Sequence, residues 1–385
     1  MAAAKVRSGV IEAPRVLVEP DEFEEHFVLP SRVSMRGLRV AGAIAIRGVY
    51  VVVALAVFVL ALQLLKSGAG GLKPVIQHLS ADGIAGKMGL GWIGSYLVMS
   101  GSPVAAIALS LYSGSTISDV EAFAMINGTR LGASFIVLFV GFLYYVFRKR
   151  DPDSLYIGVV ALLTAITLWA PVVPIGTLIL NEGWFDGVRF GSPGALTSVV
   201  NTMYDPIVNR AKDHLPDLAL FAIGVPLLLV AFTVFDRVLP DLDRPGPQFE
   251  RFSRLAQGRM PMFAFGSAVT LITLSVSLSL TILVPLTMKG YVKREHLIPY
   301  IMGANIATWI DTLFAALLLN TPRAFTIVFT EMVVGGAISL FVLLVVYGPY
   351  SRGILALAHR ATSTRRSFAL FLGVILITPG VLLLV

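Results

Sequence analysis

The chain has 385 residues, of which 56% are hydrophobic and 14% charged, with mean hydropathy +0.82 and a formal net charge of +7. A soluble domain needs far more charge to cover its surface, so the composition is that of an integral membrane protein. With no cysteine, disulfides, iron–sulfur clusters and thiol catalysis are excluded.

The first 47 residues mix acids (Asp21, Glu22, Glu24, Glu25) with basic residues and read as a cytoplasmic tail carrying at most a short amphipathic helix. The first 40 hold no apolar stretch followed by a small-residue cleavage site, so no signal peptide is expected. Apolar runs long enough to span hydrocarbon then follow at 48–65, 118–147, 155–180, 218–235, 297–319, 324–347 and 367–385. Two further apolar stretches, 90–112 and 262–288, are interrupted in the middle by Ser-x-Ser elements. The five histidines (His26, His78, His214, His296, His359) fall in expected loops or the tail, so no metal or haem site is expected at membrane depth.

The interruptions are duplicated. Ser100 and Ser102 fall 175 residues before Ser275 and Ser277, and Gly128 falls 175 before Gly303. Hydroxyls and glycines that break membrane helices at matching points in two halves point to a secondary transporter's binding site. The two stretches read as re-entrant hairpins, two short helices meeting at a tip inside the membrane. Such backbone survives at that depth only when buried in protein or lining a wet cavity.

Charge placement favours that reading over two ordinary kinked spans. With seven spans, two hairpins and a cytoplasmic N-terminus, 22 basic residues lie inside and 7 outside. Turning both hairpins into full spans makes the split 17 against 12. The expected architecture is therefore all-α, with two inverted-topology repeats, each holding a re-entrant hairpin and a broken transmembrane helix. The first repeat occupies 48–180 and the second 218–347. An extracytoplasmic linker covers 181–217, and 348–385 forms an inside loop and an extra helix ending outside.

At the tips, Ser100, Ser102, Ser275 and Ser277, with Ser279 beside them, offer hydroxyls that both donate to an anion and coordinate a cation. Helix N-termini at the tips add N–H groups and a positive dipole end. Serines in membrane helices also bond back to their own turn, and it is the duplication that favours a site. Arg130 sits between apolar flanks, where an arginine costs about 2.5–3.5 kcal/mol on insertion scales. Its planar fork suits an oxyanion. A structural ion pair with Asp311 is an equal reading. Asp311 and Glu331 are candidate coupling groups for sodium or a proton; an interfacial Glu331 bonded to Arg323 is an equal alternative. Asn305 and Thr308 in the second half, with Asn127 and Thr129 in the first, place oxygens beside expected unwound turns.

The phrases Glu121–Gly128 and Gly303-Ala304-Asn305-Ile306-Ala307-Thr308, each following a Ser-x-Ser element, resemble the type II sodium–phosphate cotransporter family. That family carries Gln-Ser-Ser-Ser at each hairpin tip and Gly-Ala-Asn-Ile-Gly-Thr-Thr in the next span. The resemblance covers about residues 48–347 and implies phosphate and sodium bound between the tips. The chain departs from it at Met99 and Leu274, where the family has glutamine, and at Gly101 and Val276, where it has the middle serine. Arg130 stands in place of asparagine and Ala307 in place of glycine.

The expected function is secondary active transport of a small inorganic, phosphate-like anion across the cell (inner) membrane, coupled to sodium or protons by alternating access. No cofactor other than sodium ions is expected, and nucleic acid is not an expected partner. The alternative is a membrane scaffold or sensor that keeps the fold without transport, motivated by the eroded tip motifs. A channel is a weaker third option. No Walker loop, His-Glu-x-x-His or Gly-x-Ser-x-Gly motif is present, so an enzyme is not expected.

Overall fold

Why the chain breaks where it does is clearest at Met99–Gly101. A continuous helix there would drive the ring of Pro103 into the carbonyl four residues back, at Met99, and would carry Gly101 in its interior. In the computed structural model α3 (Gly83–Val98) accordingly stops, Met99 turns left-handed at φ 55°, and α4 (Ser102–Ser113) starts with proline in its first turn. The chain reverses there, so that Gly94 lies against Val104. The structure describes residues 36–78, 83–147, 152–188, 194–238, 258–288 and 292–384. The expected amphipathic segment of the tail lies outside the described residues.

The second interruption uses caps in place of proline. α10 (Arg259–Thr273) ends at Leu274, which is left-handed at φ 48°. α11 (Val276–Met288) follows, and the Ser275 hydroxyl accepts from the backbone N–H of Leu278 at 3.2 Å. The Thr273 hydroxyl donates to the Ser275 carbonyl at 3.1 Å. A hydroxyl that satisfies a helix's first N–H groups makes a new start cheaper than continuing.

The other helices are α1 (Arg36–Gly68), α2 (Lys73–His78), α5 (Asp119–Phe147), α6 (Pro152–Trp169) and α7 (Val172–Asn181). After them come α8 (Gly194–Lys212), α9 (Asp217–Val238), α12 (Leu297–Ala307), α13 (Trp309–Leu318) and α14 (Pro322–Phe341). A π-helical turn, Val342–Val346, leads into α15 (Tyr347–Thr362), and α16 (Arg365–Leu383) ends the described chain. No strand occurs among the described residues. Seven helical segments among them are long and apolar enough to cross a membrane, which fits a multi-pass membrane protein. They fall on the seven runs expected from sequence.

The chain divides into two units, Met1–Gly48 and Val49–Val385. Of the first, only the start of α1 is described. In the second, backbone features recur at the 175-residue offset. Met99 and Leu274, both left-handed, are one such pair. The first residue of α7, Val172, and that of α15, Tyr347, are another. Closest of all are two helix crossings. A Cβ on Gly128 would collide with the Met88 carbonyl, and one on Gly91 with the Met125 carbonyl, where α3 crosses α5. A Cβ on Gly303 would collide with the Phe263 carbonyl, and one on Gly266 with the Tyr300 carbonyl, where α10 crosses α12. All four positions and all four carbonyls map onto one another at that offset. Lipid removes the hydrophobic drive between helices, so close backbone approach at glycine is what gives such crossings their dispersion energy.

The packing also exchanges partners between halves. α4 packs on α13, and α11 packs on α5. Trp169 and Trp309, both buried, meet edge to face at 5.5 Å at the centre.

Several expectations fail. α5 runs unbroken through Gly128, so Asn127 and Thr129 do not flank an unwound turn. Gly128 serves the crossing with α3, and α5's own hydrogen bonds are undisturbed. In the second half the interruption is slight, a single turn at Thr308 (φ −68°, ψ −13°) between α12 and α13. The larger break of the first half lies at Ala170–Pro171, where Pro171 and Pro174 remove two donors from the 155–180 run. The stretch after Tyr347 is helical rather than a loop, and His359 lies within it.

Candidate functional site

The two helix breaks line one cavity. Val98, Met99, Ser100, Ser102 and Pro103 from the first, and Leu274 and Ser275 from the second, share a space of about 310 Å³ closed by Leu229, Phe232 and Thr233 of α9. The N-termini of α4 and α11 both begin at this cavity. First-turn N–H groups beyond the one that Ser275 caps, and the positive dipole ends, give it an anion-attracting character, although among the described residues no lysine or arginine lines it.

Behind the first break lies a line of buried polar groups. Ser102, at the start of α4, lies within electrostatic reach of the carboxylate of Asp311, in the first turn of α13. Thr312 donates to Asp311 Oδ1 at 2.8 Å and accepts from Arg130 Nη2 at 3.4 Å. The Arg130 guanidinium lies over the Trp309 ring, 3.6 Å from its centre. It is completely buried, and its Nε and Nη1 have no hydrogen-bond partner among the described residues. Arg130 lies within electrostatic reach of both Asp311 and Glu331. Glu331, also 0% exposed, accepts from Asn127 Nδ2 at 3.3 Å. One arginine thus sits between two carboxylates from different helices, and it reaches the first through a threonine.

This arrangement sorts the expected site residues. Ser100, Ser102 and Ser275 are brought together on the cavity wall. Ser277 is half-buried and is not among the residues lining it. Ser279 is held by Tyr300, whose hydroxyl lies 3.0 Å away, and so has a packing role. Arg130 is not among the residues lining the cavity, and its hydrogen-bonded link to Asp311 runs through Thr312. Asn305 donates to the Ile301 carbonyl of its own helix at 2.9 Å, leaving only its carbonyl oxygen unpartnered and buried. Thr129 likewise bonds back to Ile126 at 2.6 Å. Thr308 is buried with an unpartnered hydroxyl. Arg323 does not bond Glu331: it pairs with Asp119 at 2.9 Å and donates to the Leu180 carbonyl.

Sequence reasoning missed Thr312 and Trp309, the two groups that hold the arginine. Their signal was available: both follow the Thr308 break within four residues, on the helix that carries Asp311. It also missed Lys87. Lys87 is buried in α3 and pairs with Glu121 at 3.0 Å across the α3–α5 crossing.

The Asn127, Arg130, Asp311 and Glu331 cluster keeps buried oxygens and nitrogens without a hydrogen-bond partner among the described residues, as do Asn305 and Thr308 and, elsewhere, Ser95, Thr164 and Thr270. Buried polar groups are nearly always hydrogen-bonded, so such a cluster is chemically suited to ions and water. Compared with known proteins, the chain matches no family model, no protein of curated function and no solved structure.

Proposed function

We propose that the protein is a secondary transporter of a small inorganic oxyanion, phosphate-like in charge and size, coupled to sodium or protons. The observation that carries the reading is the single cavity lined by both helix breaks, each of which presents a helix N-terminus and a serine. In this reading the breaks are tips of re-entrant hairpins in two inverted repeats. The tip cavity holds the anion by N–H groups and hydroxyls, and a coupling cation or proton sits on Asp311. Because the wall has no fixed cation, an anion there needs the charge that such a cation brings. That requirement is a physical basis for coupling. Ser102 relates the two sites, since it lines the cavity and lies within electrostatic reach of Asp311.

Alternating access would then follow from the exchanged packing. With α4 against α13 and α11 against α5, a rocking of one half moves the opposite half's tip. The positive-inside balance supports a cytoplasmic N-terminus, and the reading takes the membrane to be a bacterial-type inner membrane. The resemblance to type II sodium–phosphate cotransporters rests on the sequence phrases alone. Phosphate is therefore the first substrate to test, followed by sulfate.

A second reading, a membrane scaffold without transport, draws on the groups that satisfy themselves locally: Thr129, Asn305 and the Ser275 cap. Uptake of labelled phosphate and sulfate into proteoliposomes under imposed sodium or proton gradients separates the two. The transporter reading expects gradient-driven uptake that Asp311→Asn uncouples from the cation. Absence of gradient-driven uptake of either anion by folded protein supports the scaffold.

A further inference from the structure

We propose that a second cavity, beside the second helix break, binds a small organic ammonium cation with Asp311 as its counter-charge. This cavity has a volume of about 300 Å³ and lies between α1, α9, α13 and the end of α10. Phe58, Phe232, Phe235 and Phe314 line it together with Leu274, and among the described residues Asp311 is the one ionisable group on its wall. Phe58 meets Phe232 and Phe235 edge-on, at 5.4 and 6.3 Å between ring centres. Asp311 Oδ1 accepts from Thr312, whereas Oδ2 is buried and has no hydrogen-bond partner among the described residues.

The chemistry of the wall selects the ligand. Asp311 and Glu331 share the single charge of Arg130, so a further cation beside Oδ2 offsets desolvation cost that the arginine leaves. Aromatic rings attract a cation by their quadrupole, and a weakly hydrated ammonium loses least on leaving water. An inorganic cation would answer Asp311 and leave the phenylalanines unused. A lipid acyl chain would cover the phenylalanines and leave Asp311 with only its share of Arg130, which Glu331 shares. Only an organic ammonium uses both. The volume lies at the small end for ligand sites, which favours a head group with one ring over a bulky drug. Ile310 and Phe314 are 47% and 39% exposed, so the cavity opens on the apolar surface that such a cation reaches by partitioning. Leu274 and Phe232 line this cavity and the tip cavity alike, so the bound cation rests against the second break. The inference stands on the cavity itself and does not depend on transport.

Titration calorimetry of benzyltrimethylammonium into the full-length protein in neutral detergent tests it, with neopentylbenzene as the uncharged isostere. One saturable site is expected, with little binding of the hydrocarbon and a loss of about tenfold or more in Asp311→Asn. Ile310→Trp, which fills the mouth from the apolar surface and leaves the buried charges alone, is expected to weaken binding similarly. The proposal is overturned by no saturable binding to folded parent protein, by Asp311→Asn or Ile310→Trp binding as the parent does, or by equal binding of the hydrocarbon. Absent transport with binding retained would remove the transporter reading and leave this site intact.

Discussion

Replacing Gly128 and Gly303 by alanine probes the duplicated crossings directly. At each position the added Cβ falls well inside 3.0 Å of a backbone carbonyl oxygen, Met88 in one half and Phe263 in the other, whereas ordinary contact begins near 3.4 Å. Backbone cannot swing aside as a long side chain can, so the paired helices must separate. A gap of about 0.5–1 Å forfeits a quarter to a half of each dispersion contact along the crossing, and overpacking of this kind costs typically about 1–3 kcal/mol. Alanine returns up to about 1 kcal/mol through its better helix propensity. A net loss of about 1–2 kcal/mol is therefore expected at each site, similar in the two halves. Gly336, where an added Cβ would meet nothing within 4 Å, is the control, and its alanine variant should be neutral or slightly more stable. Thermal unfolding in detergent, followed by tryptophan fluorescence, measures all three. If Gly128→Ala and Gly303→Ala unfold with the parent, or if only one is affected, the crossings are not equivalent close contacts.

Three further outcomes follow from the same geometry. Arg130→Met should destabilise the protein by about 3–5 kcal/mol, because it strands Asp311 and Glu331 without their shared cation; adding Glu331→Gln should restore part of the loss, and a fully stable single variant would contradict the arrangement. Met99→Gly and Leu274→Gly should each be neutral or stabilising in the same melts, since a left-handed non-glycine residue costs about 1–2 kcal/mol; a loss above about 1 kcal/mol at either would show that side-chain packing dominates there. In this cysteine-free chain, Ser100→Cys combined with Ser275→Cys should cross-link efficiently with a short bifunctional maleimide, as both line one cavity; a yield no higher than that of a Ser100→Cys, Ser351→Cys pair would separate the tips.

The spans were legible because length and hydropathy suffice for them. The two helix breaks were legible because Gly101, Pro103 and Ser275 carry local break chemistry that no neighbour has to supply. The crossings were only half legible. Gly128 and Gly303 stood out within phrases, whereas Gly91 and Gly266 matter through what they touch, and a glycine in an apolar helix has no mark that tells packing from flexibility. For the same reason Gly128 was open to both close approach and unwinding, and the structure shows the first, with α5 intact through it. Arg130 was recognised as buried and charged, with Asp311 as a partner, but the groups that contact it were not. The interposed Thr312 and the Trp309 face are tertiary facts, set by how α5 lies against α13 and invisible in either segment alone. Glu331 was placed near the interface by its neighbour Arg323. The helix turns the two apart, the arginine toward Asp119 and the glutamate toward Asn127.

Sidedness is the sharpest test of two tips entering from opposite faces around one cavity. Ser115, at the close of the first tip's second helix, and Lys293, after the second tip's, are exposed and separated by three expected crossings, α5, the α6–α7 pair and α9. Ser115→Cys and Lys293→Cys, labelled singly in intact cells with a membrane-impermeant maleimide, should react from opposite sides, Ser115→Cys from outside and Lys293→Cys only after permeabilisation. Labelling of both from the same side would contradict the account.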